Sequence, residues 1–187
     1  YEKNLRNARR GKDDKVIGKK DFAAVCFAAP GDSGSGLAML EELEGETLKE
    51  RIKEIVGQVE FARSTAGQDS PCIHMRFVGN PGTGKTTVAR ILGKIFKEKG
   101  LLRLGNFYEY AGRDLCGQYI GSTAPKTAGI CRDAYGSVLF IDEAYSLYSE
   151  YTSSNDYGRE ALDTLIAEME NHRDDLLVIM AGYTDEM

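Results

Sequence analysis

Residues 79–86 combine three glycines with a lysine and two threonines in the order Gly79-Asn80-Pro81-Gly82-Thr83-Gly84-Lys85-Thr86. Glycines let backbone N–H groups turn inward and approach phosphate oxygens, because no Cβ stands in the way. A helix that begins near Lys85 would add partial positive charge. Lys85 would place a cation at the β- and γ-phosphates, and the Thr86 hydroxyl would ligate Mg²⁺. The spacing predicts a binding site for a nucleoside triphosphate.

Two adjacent carboxylates, Asp142 and Glu143, follow an apolar run over residues 138–141. In an open α/β sheet the ligand lies outside the carboxyl ends of the strands. Asp142 would then reach the Mg²⁺ sphere, and Glu143 would orient and deprotonate an attacking water. An acidic pair after a strand is also common in simple turns, so the phosphate loop is what favours the catalytic interpretation. Two adjacent acids favour hydrolysis over transfer to a substrate group.

Two further segments carry candidate residues whose roles the residue types alone leave open. Tyr119, Ile120 and Gly121 lie in a stretch with glycines on both sides, which predicts either an exposed apolar loop that contacts another molecule or a loop tucked onto its own core. At the end of the last strand, Tyr183 and Thr184 are both candidates to bond the γ-phosphate or the water. A strand-ending turn explains that segment equally well.

The elements that must position these residues follow from hydrophobic patterning. Short β-rich runs at residues 73–78, 107–111, 138–141 and 176–181 alternate with helical patterns, which predicts a doubly wound, three-layer α/β sheet of parallel strands. From Leu37 to Val59 the apolar spacing indicates one or two amphipathic helices, interrupted near Gly45. His74 is predicted to be a packed core residue, and His172 to lie at a helix end.

Composition excludes several classes of protein. The 187 residues are 42% hydrophobic and 28% charged, which is typical of a globular chain, and the net charge is −5. This acidity makes nucleic acid an unexpected partner. No run reaches the roughly 18 apolar residues that span a bilayer. Four cysteines without a CxxC pair predict free thiols in a reducing cytoplasm, not zinc or disulfides. There is no N-K-x-D motif to read guanine.

Taken together, these motifs resemble those of the AAA+ ATPases, in particular the group of stage V sporulation protein K and the CbbX-type Rubisco activases. The resemblance extends from about residue 40 to residue 187. The segments that match the family most specifically are residues 76–90, 119–127, 139–147 and 169–187.

The resemblance implies roles for individual residues. Residues 79–86 with Thr87 correspond to the Walker A segment that binds ATP, and Asp142 with Glu143 to Walker B. Tyr119-Ile120-Gly121 corresponds to the pore loop with which such rings grip a polypeptide client. Residues 181–184 fall at the sensor-1 position, which assigns Tyr183 to the nucleotide site. The cofactors implied are ATP and Mg²⁺.

The resemblance also implies an assembly and a domain plan. The partner is the chain itself, in a ring expected to be a hexamer, with a catalytic arginine supplied by the neighbour. Such an arginine is worth ~10³–10⁵ in rate, so we expect this chain alone to hydrolyse ATP poorly. Residues 1–29 resemble the end of a preceding AAA+ lid, 30–36 read as a linker, and 37–187 as an ATPase core truncated after its fourth strand, without its lid. The Walker A strand is then expected at the sheet edge.

Two departures and two alternatives remain. Glu44 and Glu46 stand where relatives carry apolar residues on the adenine side, which affects how tightly that pocket closes. One alternative function is a nucleotide-gated scaffold without productive turnover, against which Glu143 argues. The other is a motor directed at nucleic acid, against which the net acidity and Tyr119 argue.

Overall fold

The computed structural model describes residues 35–43, 45–65, 73–148 and 157–183. These lie in one compact unit, Ser35–Met187. The predicted lid remnant at 1–29, most of the predicted linker, Glu44 and Thr184 lie outside the described residues. Gly36, predicted as the end of the linker, is instead the buried first residue of a helix. A Cβ added at Gly36 would stand 2.8 Å from Ile95, so this glycine permits close helix packing.

Helices and strands alternate along the described chain. They are α1 (Gly36–Glu41), α2 (Glu46–Thr65), β1 (Met75–Val78), α3 (Lys85–Glu98), β2 (Phe107–Ala111), α4 (Gly112–Leu115), α5 (Thr123–Asp133), β3 (Ser137–Asp142), a 3₁₀ helix (Ala144–Leu147), α6 (Tyr157–Asn171) and β4 (Leu176–Gly182). The predicted interruption near Gly45 is confirmed, because that residue has a φ of 103° and separates α1 from α2. No described helix combines the length and hydrophobicity that a membrane crossing requires.

The described strands form one parallel sheet in the order β1-β4-β3-β2. Strand β1 pairs with β4 alone, so the predicted edge position of the Walker A strand is confirmed among these strands. Strand β4 lies between β1 and β3. Val78, the last residue of β1, is in register with Gly182, the last residue of β4. The carboxyl ends of β1 and β4 therefore reach the same level of the sheet.

Helices cover both faces of the sheet. Along β3, Val138 and Phe140 pack into a core with α1, α2 and α3. The intervening Leu139 and Ile141 pack into a second core with α4, α5, the 3₁₀ helix and α6. All four side chains are fully buried, as expected for a parallel strand covered on both faces. The arrangement confirms the predicted three-layer α/β fold.

Strand β1 begins two residues later than the sequence pattern predicts. At His74 a side-chain bond to β4 takes the place of the backbone hydrogen bonds between strands. The Nδ1 of His74 accepts from the Val178 N–H at 3.1 Å. Its Nε2 lies 3.3 Å from the Met169 carbonyl oxygen, to which the neutral ring donates. Burial lowers the pKa of His74 and favours this neutral form. His74 is half-buried, so it packs within the fold as predicted but is not part of the fully buried core.

Candidate functional site

The glycine-rich segment lies directly between β1 and α3, in the predicted strand–loop–helix order. Its first residue is tied to the neighbouring strand, because the Gly79 N–H donates to the Gly182 carbonyl at 3.2 Å. Within the loop, the Thr83 hydroxyl donates to the Asn80 carbonyl at 2.9 Å. Gly82 and Gly84 have φ values of 74° and 82°, in the left-handed region that a residue with a Cβ adopts with strain. Loop shape thus depends on the glycines.

The N-terminus of α3 is built to receive an anion. Gly84 occupies the N-cap position and supplies no side-chain cap to the first turn. The leading N–H groups of a helix have no intrahelical acceptor, and the helix dipole places partial positive charge there. A Cβ at Gly82 or Gly84 would meet nothing within 4 Å, so open space adjoins the loop at both positions. These features fit a phosphate group.

Lys85, the first residue of α3, bends back over the loop. Its Nζ donates to the carbonyl oxygens of Gly79 and Asn80 at 2.8 and 2.9 Å. The same ammonium lies 5.7 Å from the centre of the Tyr183 ring, within cation–π range. The structure therefore brings together Lys85 and Tyr183, two residues assigned to the nucleotide site from the sequence. Thr86 and Thr87 follow in the first turn of α3 and are half-buried.

Asp142 and Glu143 lie where β3 ends. Asp142 is in register with Ala111 of β2. Its Oδ1 accepts from the Glu143 N–H at 2.9 Å, which fixes the turn that follows the strand. Glu143 has a φ of 49° and is the only non-glycine residue with a positive φ in the part of the chain that the structure describes. Such backbone costs energy and is enriched at functional sites. Both side chains are half-buried.

The glycine-rich loop and the acidic pair lie at the same end of the sheet, where the carboxyl ends of the parallel strands meet. Phe77 is in register with Ala181, and Ile141 is in register with Met180. Asp142 is the next residue along β3 and therefore stands level with the end of β1, with β4 between them. Neighbouring strands are ~4.8 Å apart, so β1 and β3 are separated by roughly 10 Å at that end. A triphosphate with its metal fits a gap of this order.

The residues present fit Mg²⁺ bound together with phosphates. No group of three or more His, Cys, Asp or Glu side chains among the described residues forms a closed metal site. Mg²⁺ at nucleotide sites needs only one or two protein oxygens, because substrate phosphates and water complete its octahedron. The Thr86 hydroxyl and the Asp142 carboxylate supply oxygens of the type that Mg²⁺ prefers.

Tyr145 is a site residue that the sequence analysis did not single out. It lies in the 3₁₀ helix after Glu143, and its ring centre is 5.5 Å from that of Tyr183. The Tyr183 ring thus lies close to both the Lys85 ammonium and a second aromatic ring. The contact joins residues that are distant in the chain, so the sequence does not reveal it. The one available signal for a role of Tyr145 at the site is its position two residues after Glu143.

The segment with Tyr119 and Ile120 forms an exposed turn. The two residues are 75% and 85% exposed, so of the two alternatives the structure shows the exposed loop and not the tucked one. The Ser122 N–H donates to the Tyr119 carbonyl at 3.1 Å, and Gly121 has a φ of 76°. A type II turn requires a positive φ at this position, which explains the glycine. The turn thus presents an aromatic and an aliphatic side chain to solvent.

Comparison with known proteins bears on the whole region. Residues 75–187 match the model of the ATPase family associated with various cellular activities (AAA). Protein CbbX of Cereibacter sphaeroides is 48% identical over 164 residues, which cover 82% of this chain and 53% of that protein. The chloroplastic ribulose bisphosphate carboxylase/oxygenase activase of Cyanidioschyzon merolae is 47% identical over 158 residues, 80% of this chain and 54% of that one. The chain spans about half the length of these relatives.

A solved structure supports the fold. The crystal structure of the FIGL-1 AAA domain in complex with ADP matches with a TM-score of 0.54 and 22% identity, covering 76% of this chain and 47% of that one. At this identity the likeness concerns the fold alone. The relatives named above confirm the resemblance to the CbbX-type group inferred from the motifs. The chain belongs to the AAA family of ATPases.

Proposed function

We propose that this chain binds and hydrolyses ATP, with Mg²⁺, as the core of a ring-forming motor that remodels a protein client. The proposal rests on one observation: the glycine-rich loop and the acidic pair lie at the carboxyl end of the same sheet. There Lys85 and the uncapped start of α3 stand at one strand end, and Asp142 and Glu143 at another. Membership of the AAA family supports it.

The phosphate cradle would act through charge and backbone donors. The ammonium of Lys85 exchanges its bonds to Gly79 and Asn80 for β- and γ-phosphate oxygens. The N–H groups of residues 82–86 hold the remaining oxygens. Thr86 and Asp142 would hold Mg²⁺, and the ion would supply positive charge to the phosphates.

Hydrolysis would depend on Glu143. This carboxylate orients a water and takes its proton as the water attacks the γ-phosphorus. The bond from the Glu143 N–H to Asp142 and the left-handed backbone at Glu143 support this assignment, because they form a tight turn directly after the strand. Tyr183 would bond the γ-phosphate or the water. The arginine that completes the site would come from a neighbouring subunit, which is why we propose a ring, expected to be a hexamer.

The exposed turn at Tyr119 and Ile120 would contact the client. Exposed apolar side chains on a fixed turn supply sequence-tolerant contact area for an unfolded polypeptide. Net acidity speaks against nucleic acid as the client. Because similar relatives carry the name ribulose bisphosphate carboxylase/oxygenase activase, that carboxylase is the first client to test.

The test uses the full-length protein and separates binding from turnover. In Glu143→Gln we expect ATP affinity to be unchanged and turnover to fall by at least ~10²-fold, because the water loses its base. Asp163→Ala, an exposed acid on α6, is the matched control and should change neither quantity. Full turnover in Glu143→Gln would refute the assigned base.

A single-turnover experiment distinguishes the scaffold alternative. A motor cleaves pre-bound ATP in the oligomer, whereas a nucleotide-gated scaffold returns it intact. Binding without cleavage by the wild-type oligomer would overturn the motor and support the scaffold.

A further inference from the structure

Helix α5 begins immediately after the Tyr119-Ile120-Gly121 turn, and its first turn has few donors to satisfy. Pro125 occupies the third helical position and has no N–H. A cap at this helix therefore acts chiefly through the N–H of Ala124, since an N-cap side chain ordinarily accepts from the second or third helical residue.

Ser122 stands at the N-cap position but does not cap its helix. Its hydroxyl is turned back to the loop instead. Oγ accepts from the Tyr119 N–H at 3.1 Å and donates to the Tyr119 carbonyl at 2.6 Å. With the backbone bond from the Ser122 N–H, this side chain closes the turn on both sides of Tyr119.

The missing cap is supplied by another helix. Oε1 of Glu160, in the first turn of α6, accepts from the Ala124 N–H at 3.2 Å. A carboxylate there is also favoured by the dipoles of both helices, because it lies near both N-termini. Glu160 thus occupies the donor that an N-cap side chain would otherwise bond, while Ser122 keeps a helical backbone with a φ of −94° and a ψ of −11°.

Other side chains of α5 hold the root of the loop and leave its tip to Ser122. The Thr123 hydroxyl accepts from the Gly117 N–H at 3.0 Å. Lys126 Nζ donates to the Cys116 carbonyl at 2.7 Å, and the buried Thr127 hydroxyl donates to the Leu115 carbonyl at 3.1 Å. These bonds join residues 115–117 to the helix, whereas Tyr119 is held through Ser122.

We propose that Glu160 is a positioning residue for the exposed loop: by capping α5 from α6, it leaves the Ser122 hydroxyl to hold the Tyr119 turn. Without Glu160, capping of Ala124 would fall to Ser122, whose backbone must leave its helical conformation for the hydroxyl to reach that N–H, so the turn opens. The inference deepens the proposed function, since it concerns the loop assigned to client binding. It is tested on the loop itself, without ATP or client, so that its failure is distinguishable from failure of the motor assignment.

The experiment follows the loop in the full-length protein by hydrogen exchange of peptides spanning residues 117–123 and by chymotryptic cleavage after Tyr119. We expect Glu160→Ala to raise both rates roughly tenfold, as for loss of a charge-assisted bond. Ser122→Ala should do the same. The double variant should add nothing, because both changes remove one restraint. Asp163→Ala, on the exposed face of the same helix, should leave both rates unchanged.

Unchanged rates in Glu160→Ala would overturn the proposal, as would effects that multiply in the double variant. Should Glu160→Ala fail to fold, Glu160→Asp replaces it, since it keeps the charge but withdraws the carboxylate by one methylene. The same rise in exchange is expected, and wild-type rates in Glu160→Asp would overturn the proposal. Glu160→Gln, which keeps an uncharged acceptor, should lie between wild type and Glu160→Ala.

Discussion

The ammonium of Lys85 and the carbonyl oxygen of Gly79 are joined by a 2.8 Å hydrogen bond that folds the side chain back over its own loop. A second bond to Asn80, at 2.9 Å, holds the cation beside the uncapped start of α3. The charge is therefore already near the place where phosphates are proposed to bind. Phosphate binding would exchange these two bonds for bonds to phosphate oxygens.

Replacing Lys85 should abolish useful nucleotide binding. In Lys85→Ala we expect ATP affinity to fall on the order of 100-fold, because charge-assisted bonds to the phosphates are lost. Titration calorimetry on the full-length protein measures it. Lys97→Ala, at an exposed position of the same helix, is the control. Retention of affinity in Lys85→Ala would contradict the assigned site.

The ring and the hydroxyl of Tyr183 should affect different quantities, the ring ATP affinity and the hydroxyl turnover. Tyr183→Phe keeps the ring beside Lys85 and Tyr145, so ATP affinity should stay within about twofold. If the hydroxyl bonds the γ-phosphate or the water, turnover should drop about tenfold. Steady-state kinetics with a binding titration resolve the two. Unaltered kcat in Tyr183→Phe would remove the hydroxyl from the mechanism.

The local part of this site was predictable because its chemistry is local. The phosphate loop and the acidic pair are contiguous in sequence, and α3 begins at Lys85 as its motif predicts. The strand at 107–111 was predicted from its β-rich residue types, and the strand near 138–141 from a nearly continuous apolar run.

Contacts between distant residues were not predictable in the same way. Tyr145 and Tyr183 are in contact only because the strands that precede them, β3 and β4, are neighbours in the sheet. Glu160 and Ala124 are bonded although they are 36 positions apart in the sequence. No periodicity reports such pairings, since they depend on how elements pack. The late start of β1 has the same origin: His74 bonds to β4 through its side chain, which a strand pattern does not reveal.

Two helical glycines should respond in opposite ways to alanine. A Cβ at Gly93 of α3 would stand 2.7 Å from Cγ2 of the fully buried Val138, so Gly93→Ala should destabilise by about 1–3 kcal/mol through overpacking. Gly129 of α5 has nothing within 4 Å, so Gly129→Ala should stabilise by about 0.5–1 kcal/mol. Urea denaturation of both variants measures the two changes. Destabilisation by Gly129→Ala would show an unrecognised neighbour.

His74 should make stability depend on pH. Burial, helped by the positive charge of Arg173, lowers its pKa, while the bond to Met169 and the charge of Glu170 oppose the shift. A folded-state pKa below the ordinary value of about 6.5 means that folding favours the neutral ring. The contribution is therefore complete above about pH 6.5 and is lost as the pH falls towards the folded-state pKa. Protonation removes the acceptor that Nδ1 offers to Val178.

Urea denaturation between pH 5 and 8 tests this on wild type and His74→Phe, which cannot accept from Val178. The free energy of unfolding of wild type should exceed that of the variant at pH 7.5, and the difference should shrink as the pH falls. A difference that stays constant with pH would show that His74 packs without titrating.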